Sequence, residues 1–229
     1  MSARDRAVGG KLRRKAETRS QIPVFHLYVE GRVTEVEYFT ALGRREEFRD
    51  RVKITIKRKG EQPELLVSRA VKDAREDAKA IRRGDGHGTS DQYWCVFDVE
   101  APTSHPNLAD AMTAAGKGGV HTAVSNPCFE LWLILHRKDQ DAWLSTDEAT
   151  QVRRACDSAS TGDKHIAAKE YVSPDAIGHA CQRAKQLRQR HEGDGTRFPD
   201  DNPSSTVDLL IVALDEAVRA VPASGGGRR

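Results

Sequence analysis

The chain has 229 residues, enough for one sizeable domain or two small ones with a buried core. Charged residues make up 31% and the formal net charge is only +3, so composition alone does not indicate a nucleic-acid-binding protein. The sequence has no run of 18 apolar residues and no apolar signal segment, and its four cysteines form no Cys-x-x-Cys pair. We therefore expect a soluble cytoplasmic protein without a membrane partner, a zinc ribbon or a disulfide scaffold.

The N-terminal segment, residues 1–21, is basic and lacks apolar periodicity. Its first twenty residues contain seven Arg or Lys and two acids, which predicts a disordered arm. Such an arm either lies along phosphates or keeps the protein soluble, and the sequence leaves both readings open. We expect a single α/β domain over residues 22–220 and a flexible tail over 221–229.

The first predicted strand runs from Pro23 to Glu30, because "PVFHLYV" is a short apolar run rich in β-forming residues. Thr34 is expected to open a helix through the capping box Thr34-x-x-Glu37. "RVKITIKR" alternates apolar and basic residues, which is typical of a half-exposed strand near a sheet edge. Residues 62–84 have the apolar spacing of an amphipathic outer helix.

The second half of the sheet is predicted after "GDGHGTSD", which we expect to be a flexible loop. "QYWCVF" is the third strand and ends at Asp98, "HPNLADAMTAAGKGG" is a helix, and "VHTAV" is the fourth strand. The next helix should begin at Asn126-Pro127, and from roughly Asp139 onward the pattern is helical. Alternating strands and helices predict a mostly parallel, Rossmann-like sheet with helices on both faces and a helical C-terminal extension.

Four acids are predicted to meet at the carboxyl edge of this sheet, where α/β proteins bind ligands. They are Glu30, Asp98, Glu100 and Glu130. Two carboxylates about 4 Å apart repel by about 4 kcal/mol at an effective dielectric near 20, so such a group must take up protons or a cation. Oxygen ligands without supporting His or Cys pairs favour Mg²⁺, Mn²⁺ or Ca²⁺ over zinc, and Mg²⁺ is the usual ion for phosphoryl chemistry. The alternative is that each acid only caps a helix or interacts with its dipole.

Four segments together resemble the RloB-like proteins: "YVEGRVTEVEYF", "WCVFDVE", "SNPCFELWLILH" and "NPSSTVDLL". The resemblance runs from about Val24 to Leu214 in the same order. RloB-like proteins are bacterial proteins encoded beside restriction-modification or abortive-infection loci, often next to an ATPase gene. The resemblance thus implies a role in antiviral defence with a partner ATPase.

The RloB-like family is in turn similar to Toprim domains, which place one Glu after the first strand and Asp-x-Asp after a later one. Carried over, this implies that Glu30 takes the first role and that Asp98 and Glu100 take the second. Glu100 departs from the pattern, because a Toprim domain normally has Asp there. Toprim nucleases often add a further acid and a lysine. Glu130 is the candidate acid, and the candidate lysines are Lys164 and Lys169.

A second group of residues is predicted to contact phosphate. Arg32 follows the first strand and either binds phosphate or is simply solvated. Asn126 and Asn202, each before a proline, are N-caps in the simplest reading. Alternatively, their helix N-termini present free N–H groups to a phosphate, a duty that Ser204, Ser205 and Thr206 would share.

Two functions follow as hypotheses. The first is a Mg²⁺- or Mn²⁺-dependent nuclease in which the acids hold the metal, while the basic arm and the strand around Lys53 to Lys59 follow a DNA or RNA backbone by charge. The second is a non-catalytic sensor or effector subunit that binds Mg-nucleotide, nucleic acid or an ATPase partner. The sequence does not distinguish DNA from RNA or tRNA, and it leaves the oligomeric state open.

Overall fold

The structure is a computed structural model that describes residues 22–84, 91–157 and 164–221. The predicted basic arm over residues 1–21 lies outside the described residues, as do most of the loop at 84–91 and nearly all of the predicted tail. None of the described helices combines the length and the apolar character needed to cross a membrane.

The core of the fold is a five-stranded sheet in the order β2-β1-β3-β4-β5. The strands are β1 (Val24–Val29), β2 (Lys53–Lys59), β3 (Gln92–Asp98), β4 (His121–Asn126) and β5 (Ser204–Ser205). The first four strands pair in parallel, and β5 pairs with β4 in the antiparallel direction. The predicted α/β class with a mostly parallel sheet is confirmed, and β2 is an edge strand as expected.

Helices connect the parallel strands, and in the described part of the chain five further helices follow β4, four of them before β5 and one after it. The helices are α1 (Thr34–Leu42), α2 (Pro63–Arg83), α3 (Leu108–Gly118), α4 (Phe129–Arg137), α5 (Thr146–Cys156), α6 (Ala168–Tyr171), α7 (Pro174–Gly193) and α8 (Val207–Ala220), with a short 3-10 helix at Glu46–Phe48. A parallel pair needs such a crossover because the chain must return to the same end of the sheet. The predicted alternation of strands and helices and the helical C-terminal extension are both confirmed.

The two faces of the sheet are covered by different helices. Leu27 and Trp94 point to the face that packs against α1, α4, α7 and α8. Their neighbours Tyr28 and Cys95 point to the opposite face, which packs against α2 and α3. This alternation follows from the two-residue period of a strand, and it explains why β1 and β3 read as continuous apolar runs. In the described part of the chain, helices cover both faces, which leaves the ends of the strands as the place where ligands can approach the sheet.

The predicted capping box at the start of α1 is wrong. Val33 occupies the N-cap position without a side-chain cap. The Thr34 hydroxyl instead donates to the Lys164 carbonyl at 2.7 Å, and the Glu37 carboxylate accepts the Ile166 backbone N–H at 3.0 Å. Both side chains therefore hold the segment before α6 against α1. Partners distant in sequence have replaced the local hydrogen bonds that the motif predicts.

The predicted N-caps Asn126 and Asn202 are also wrong. Asn126 is the last residue of β4, and its amide donates to the Pro199 carbonyl and to Asp201. Asn202 exchanges two hydrogen bonds with the backbone of Leu144. The helices begin later than expected, at Phe129 and Val207. The strand β5 lies in a stretch predicted to be helical. Its pairing with β4 comes from the tertiary structure, because a two-residue strand has almost no sequence signal.

Candidate functional site

An acidic cleft of about 530 Å³ opens at the carboxyl ends of β1 and β3. Its walls come from the turn between β1 and α1, the turn after β2, the loop after β3, the start of α4 and Lys164. Among the described residues, six carboxylates line it: Glu30, Glu35, Glu61, Asp98, Glu100 and Glu130. The structure therefore brings all four predicted acids to one site, as the rule for parallel sheets requires.

Glu30 is held from two sides. Its Oε2 accepts the backbone N–H of Asp98 at 3.0 Å, which ties the end of β1 to the end of β3. Its Oε1 lies 2.7 Å from Nε2 of His105. Burial raises the pKa of Glu30, and these two contacts work in the opposite direction by stabilising the ionised form. The carboxylate is thus fixed in orientation at the centre of the cleft.

His105 is a site residue that the sequence interpretation missed. It lies in the loop before α3, and its backbone N–H donates to the Val99 carbonyl at 3.0 Å. Its Nε2 is 3.8 Å from Oε2 of Glu100 as well as close to Glu30. Sequence reasoning placed residue 105 inside a helix, whereas the helix starts at Leu108. The available signal was its position just beyond the carboxyl end of a central strand.

Glu35 is a second site residue that the sequence did not reveal. It lies in the first turn of α1 and is buried, and Oε1 accepts the backbone N–H of Gly31 at 2.9 Å. Burial raises its pKa to about 7, with further contributions from the negative charges of Glu130 and Glu30. From the helical pattern alone, Glu35 would be interpreted as an ordinary acid that interacts with the dipole at a helix N-terminus.

Asp98 is partly buried at the end of β3 and lines the cleft together with the other acids. Burial holds its pKa well above the usual range, and the carboxylates of Glu35, Glu30 and Glu130 raise it further. Unlike Glu30, its carboxylate has no hydrogen-bond donor among the described residues. An ionised Asp98, which is partly buried, therefore has no hydrogen bond from the described residues to compensate for its lost hydration.

The charges of the cleft do not balance. Glu61 is paired with Arg69 at 2.8 Å, which leaves five carboxylates. In the described part of the chain, only Arg32 and Lys164 bring a permanent positive charge to the lining. Ligand oxygens of Glu30 and Glu100 lie within 4.8 Å of each other, and two carboxylates about 4 to 5 Å apart repel by about 3 to 4 kcal/mol at an effective dielectric near 20. Bound protons or a divalent cation would relieve that repulsion, and the oxygen donors fit Mg²⁺ or Mn²⁺.

Glu100 projects from a strained backbone. Its φ is 65°, in the left-handed region that residues with a side chain rarely adopt. Its N–H donates to the Pro127 carbonyl at 2.8 Å, which holds the loop after β3 against the start of α4. Such conformations concentrate at functional sites, where the surrounding structure maintains them. The side chain is 45% exposed, so it faces the open part of the cleft.

The two candidate lysines are not equivalent. Lys164 lines the acidic cleft, and the hydrogen bond from Thr34 to its carbonyl fixes its backbone there. Lys169 lies in α6 and faces a different depression, between α1 and the segment before α6. The structure therefore brings Lys164, and not Lys169, to the predicted acids.

Of the residues predicted to contact phosphate, only Arg32 lies in the cleft among the described residues. Arg32 lines the cleft, whereas Asn126, Ser204 and Ser205 are buried in the sheet away from it. Asn126 is bonded to Pro199 and Asp201, and the Ser204 hydroxyl donates to Asp201. The remaining side chains also have protein partners: Ser205 contacts Ser125, Thr206 bonds to the backbone of Val124, and Asn202 bonds to Leu144.

Arg32 connects the acidic cleft with the basic edge of the sheet. A Cβ atom placed at Gly60 would come within 2.4 Å of the Arg32 Nε, so the arginine lies directly over this glycine. Gly60 follows Lys57, Arg58 and Lys59, which are exposed at the end of β2. Positive charge thus extends from the sheet edge to the rim of the cleft.

Comparison with protein-family models gives a match over residues 25–214 to the model described as RloB-like protein. The matched span covers most of the chain and includes every carboxylate of the cleft. The curated proteins and the solved structures give no match.

Proposed function

The chain belongs to the RloB-like family, and from that premise and the acidic cleft we propose that it is a metal-dependent nuclease acting on DNA or RNA. The observation that supports this proposal is the convergence of Glu30, Asp98 and Glu100 on one cleft that contains too few cations to neutralise them. A divalent cation bound by several carboxylates is a common arrangement for cleaving phosphodiester bonds.

Glu30, Asp98, Glu100 and Glu130 would hold Mg²⁺ or Mn²⁺. When bound, the ion would lower the pKa of a water molecule and stabilise negative charge on the phosphate. The side chains themselves have separate duties. The Asp98 N–H and His105 orient Glu30, and the Gly31 N–H orients Glu35. An oriented set of oxygen ligands loses little entropy when it binds an ion or a substrate.

The cations at the rim would bind the nucleic-acid backbone. Arg32 and Lys164 line the cleft and have no carboxylate partner among the described residues, so their charges are available to phosphate oxygens. Lys57, Arg58 and Lys59 extend this surface along β2. Contacts of this kind depend on charge and carry no sequence information. We therefore propose a substrate recognised through its backbone.

The deciding experiment is a cleavage assay on plasmid, single-stranded DNA and total RNA, with Mg²⁺ and with Mn²⁺. The wild type is compared with Asp98→Asn and with Glu76→Gln, which changes an exposed acid on α2 that is remote from the cleft lining. We expect metal-dependent cleavage by the wild type and by Glu76→Gln, and at least a hundredfold loss in Asp98→Asn, as for removal of a principal catalytic group. Equal cleavage by all three proteins would contradict the proposal.

A second function is a non-catalytic subunit that uses the cleft to bind Mg-nucleotide or nucleic acid, in company with an ATPase. It is favoured by Glu30, whose two oxygens already have protein partners, and by Glu100 at the position where Toprim enzymes carry Asp. This reading predicts binding without cleavage. Co-purification with the product of an adjacent ATPase gene, together with absence of cleavage by the complex, would support it. The role in antiviral defence is part of either proposal.

A further inference from the structure

We propose that His105 makes this cleft selective for Mn²⁺ over Mg²⁺ by supplying a nitrogen ligand. The inference rests on the proposed metal site, and it goes further by assigning a ligand and a preferred ion. It concerns the ligand set Glu30, Glu100 and His105, in which one ligand atom from each residue lies within 4.8 Å of the others.

The position of the imidazole is set by the fold. Its loop is fixed by the hydrogen bond from the His105 N–H to the Val99 carbonyl, and the side chain is only 15% exposed. The same nitrogen, Nε2, faces both carboxylates, at 2.7 Å from Glu30 and 3.8 Å from Glu100. An ion held between these two carboxylates would therefore have Nε2 within reach after a small adjustment of the side chains.

The chemistry of the ligand set decides which ion is preferred. Mg²⁺ binds oxygen ligands and keeps much of its water, so a nitrogen ligand adds little to its affinity. Imidazole is a ligand of first-row transition-metal ions, and Mn²⁺, although it is the weakest binder of that series, accepts a nitrogen ligand more readily than Mg²⁺ does. With an ion bound, the Nε2 lone pair would be directed to the ion and Nδ1 would carry the N–H, so the shared ion would replace the contact between Nε2 and Glu30.

The competing interpretation is that His105 is only the hydrogen-bond partner of Glu30. The variant His105→Gln separates the two roles, because the Gln amide can donate to Glu30 but has no nitrogen lone pair for a metal. His179→Gln is the matched control, since His179 is exposed on α7 and does not line the cleft.

The first measurement is the affinity of the metal-free full chain for each ion, by titration calorimetry and by the electron paramagnetic resonance signal of free Mn²⁺. For the wild type and His179→Gln we expect Mn²⁺ to bind at least about tenfold more tightly than Mg²⁺. In His105→Gln, Mn²⁺ affinity should fall by about tenfold, while Mg²⁺ affinity should stay within about twofold. Thermal unfolding verifies that each variant is folded.

A second measurement needs no variant. Electron spin echo spectroscopy of Mn²⁺ bound to the wild type should show modulation from one directly coordinated imidazole nitrogen. Absence of that modulation, or equal Mn²⁺ affinity in the wild type and His105→Gln, would overturn the assignment and leave a nuclease with oxygen ligands standing. Failure of the wild type to bind either ion would remove both the assignment and the proposed metal-dependent function. Mn²⁺ selectivity that is lost in His105→Gln, in a protein that does not cleave nucleic acid, would support His105 as a ligand and favour the non-catalytic subunit.

Discussion

The Glu35 carboxylate fills the space that a side chain at residue 31 would need. Gly31 donates its N–H to Oε1 of Glu35 at 2.9 Å, and a Cβ built on Gly31 would lie 1.7 Å from Oε2. The turn after β1 is therefore shaped around an acid in the next helix. This packing explains why a glycine follows the strand, because only a residue without a side chain leaves room for the Glu35 carboxylate.

Gly31→Ala should destabilise the protein by about 1 to 3 kcal/mol, because the new methyl group must displace the buried Glu35 carboxylate. Chemical denaturation of the metal-free protein measures this change. Gly178→Ala is the control, since nothing lies within 4 Å of a Cβ at this position in α7, and there we expect a gain of about 0.5 to 1 kcal/mol. In a Glu35→Ala background, Gly31→Ala should cost less than in the wild type. Full additivity would contradict the packing argument.

The pKa of Glu35, raised to about 7, predicts that its charge destabilises the fold as pH rises. The folded protein holds a proton that the unfolded chain releases nearer its ordinary value of 4.5. The favourable contribution is therefore complete below pH 4.5 and is lost as pH increases through about 7. Without metal, Glu35→Gln should thus be more stable than the wild type at pH 8, by up to about 3 kcal/mol, with little difference at pH 4.5. A constant difference across denaturation curves at both pH values would contradict this.

Asp98→Asn should raise the stability of the metal-free protein at pH 8, on the order of 1 kcal/mol, because it removes a partly buried charge that lies among other carboxylates and has no hydrogen-bond donor among the described residues. Glu30→Ala should behave differently, since it leaves the Asp98 N–H without its acceptor and therefore loses part of that gain. Melting temperatures measured in EDTA and in Mn²⁺ give the stability of each metal-free variant and its stabilisation by the ion. The wild type should gain more from Mn²⁺ than either variant does. A larger metal-induced rise in Asp98→Asn than in the wild type would exclude Asp98 as a ligand.

Glu100→Gly tests whether backbone strain is maintained for the sake of the carboxylate. Glycine accepts a φ of 65° without cost, so this variant should be about 1 kcal/mol more stable than the wild type without metal. The stabilisation by Mn²⁺ should fall, because a ligand is missing. Asp50→Gly, at another left-handed position (φ 57°) outside the cleft lining, should be more stable while keeping the full response to metal. An unchanged metal response in Glu100→Gly would leave the strain without a functional reason.

The basic rim should determine how nucleic-acid binding depends on salt. Replacing both Arg32 and Lys59 by Ala removes two proposed phosphate contacts. The slope of log affinity against log salt concentration should therefore fall in magnitude by about 1.4 to 1.8. Fluorescence anisotropy with a labelled single strand, in EDTA to prevent cleavage, measures the slope. The control is Lys79→Ala on the exposed side of α2, for which no change is expected. An equal loss in the control would indicate a response to net charge rather than to this surface.

The local sequence pattern was sufficient to predict the order of strands and helices. Strands β1 and β3 are largely apolar because both of their faces are buried, and β2 alternates because it lies at the edge. A strand of that kind is visible in the local pattern of residues. The same pattern, through the rule that ligands bind at the carboxyl ends of parallel strands, predicted that Glu30, Asp98, Glu100 and Glu130 would meet.

Only the tertiary structure decided the rest of the cleft. His105 and Glu35 lie in the cleft beside the four predicted acids. Asn126 and Thr34 do not cap helices but form hydrogen bonds with partners distant in the chain. Local motifs specify which hydrogen bonds a side chain can make nearby, but burial decides which partner it has. The periodicity of apolar residues depends on neighbours in sequence, so it shows where each strand ends. In a parallel sheet, those ends lie at the same edge. The orientation of side chains within that edge depends on loops and packing, which a linear pattern does not encode.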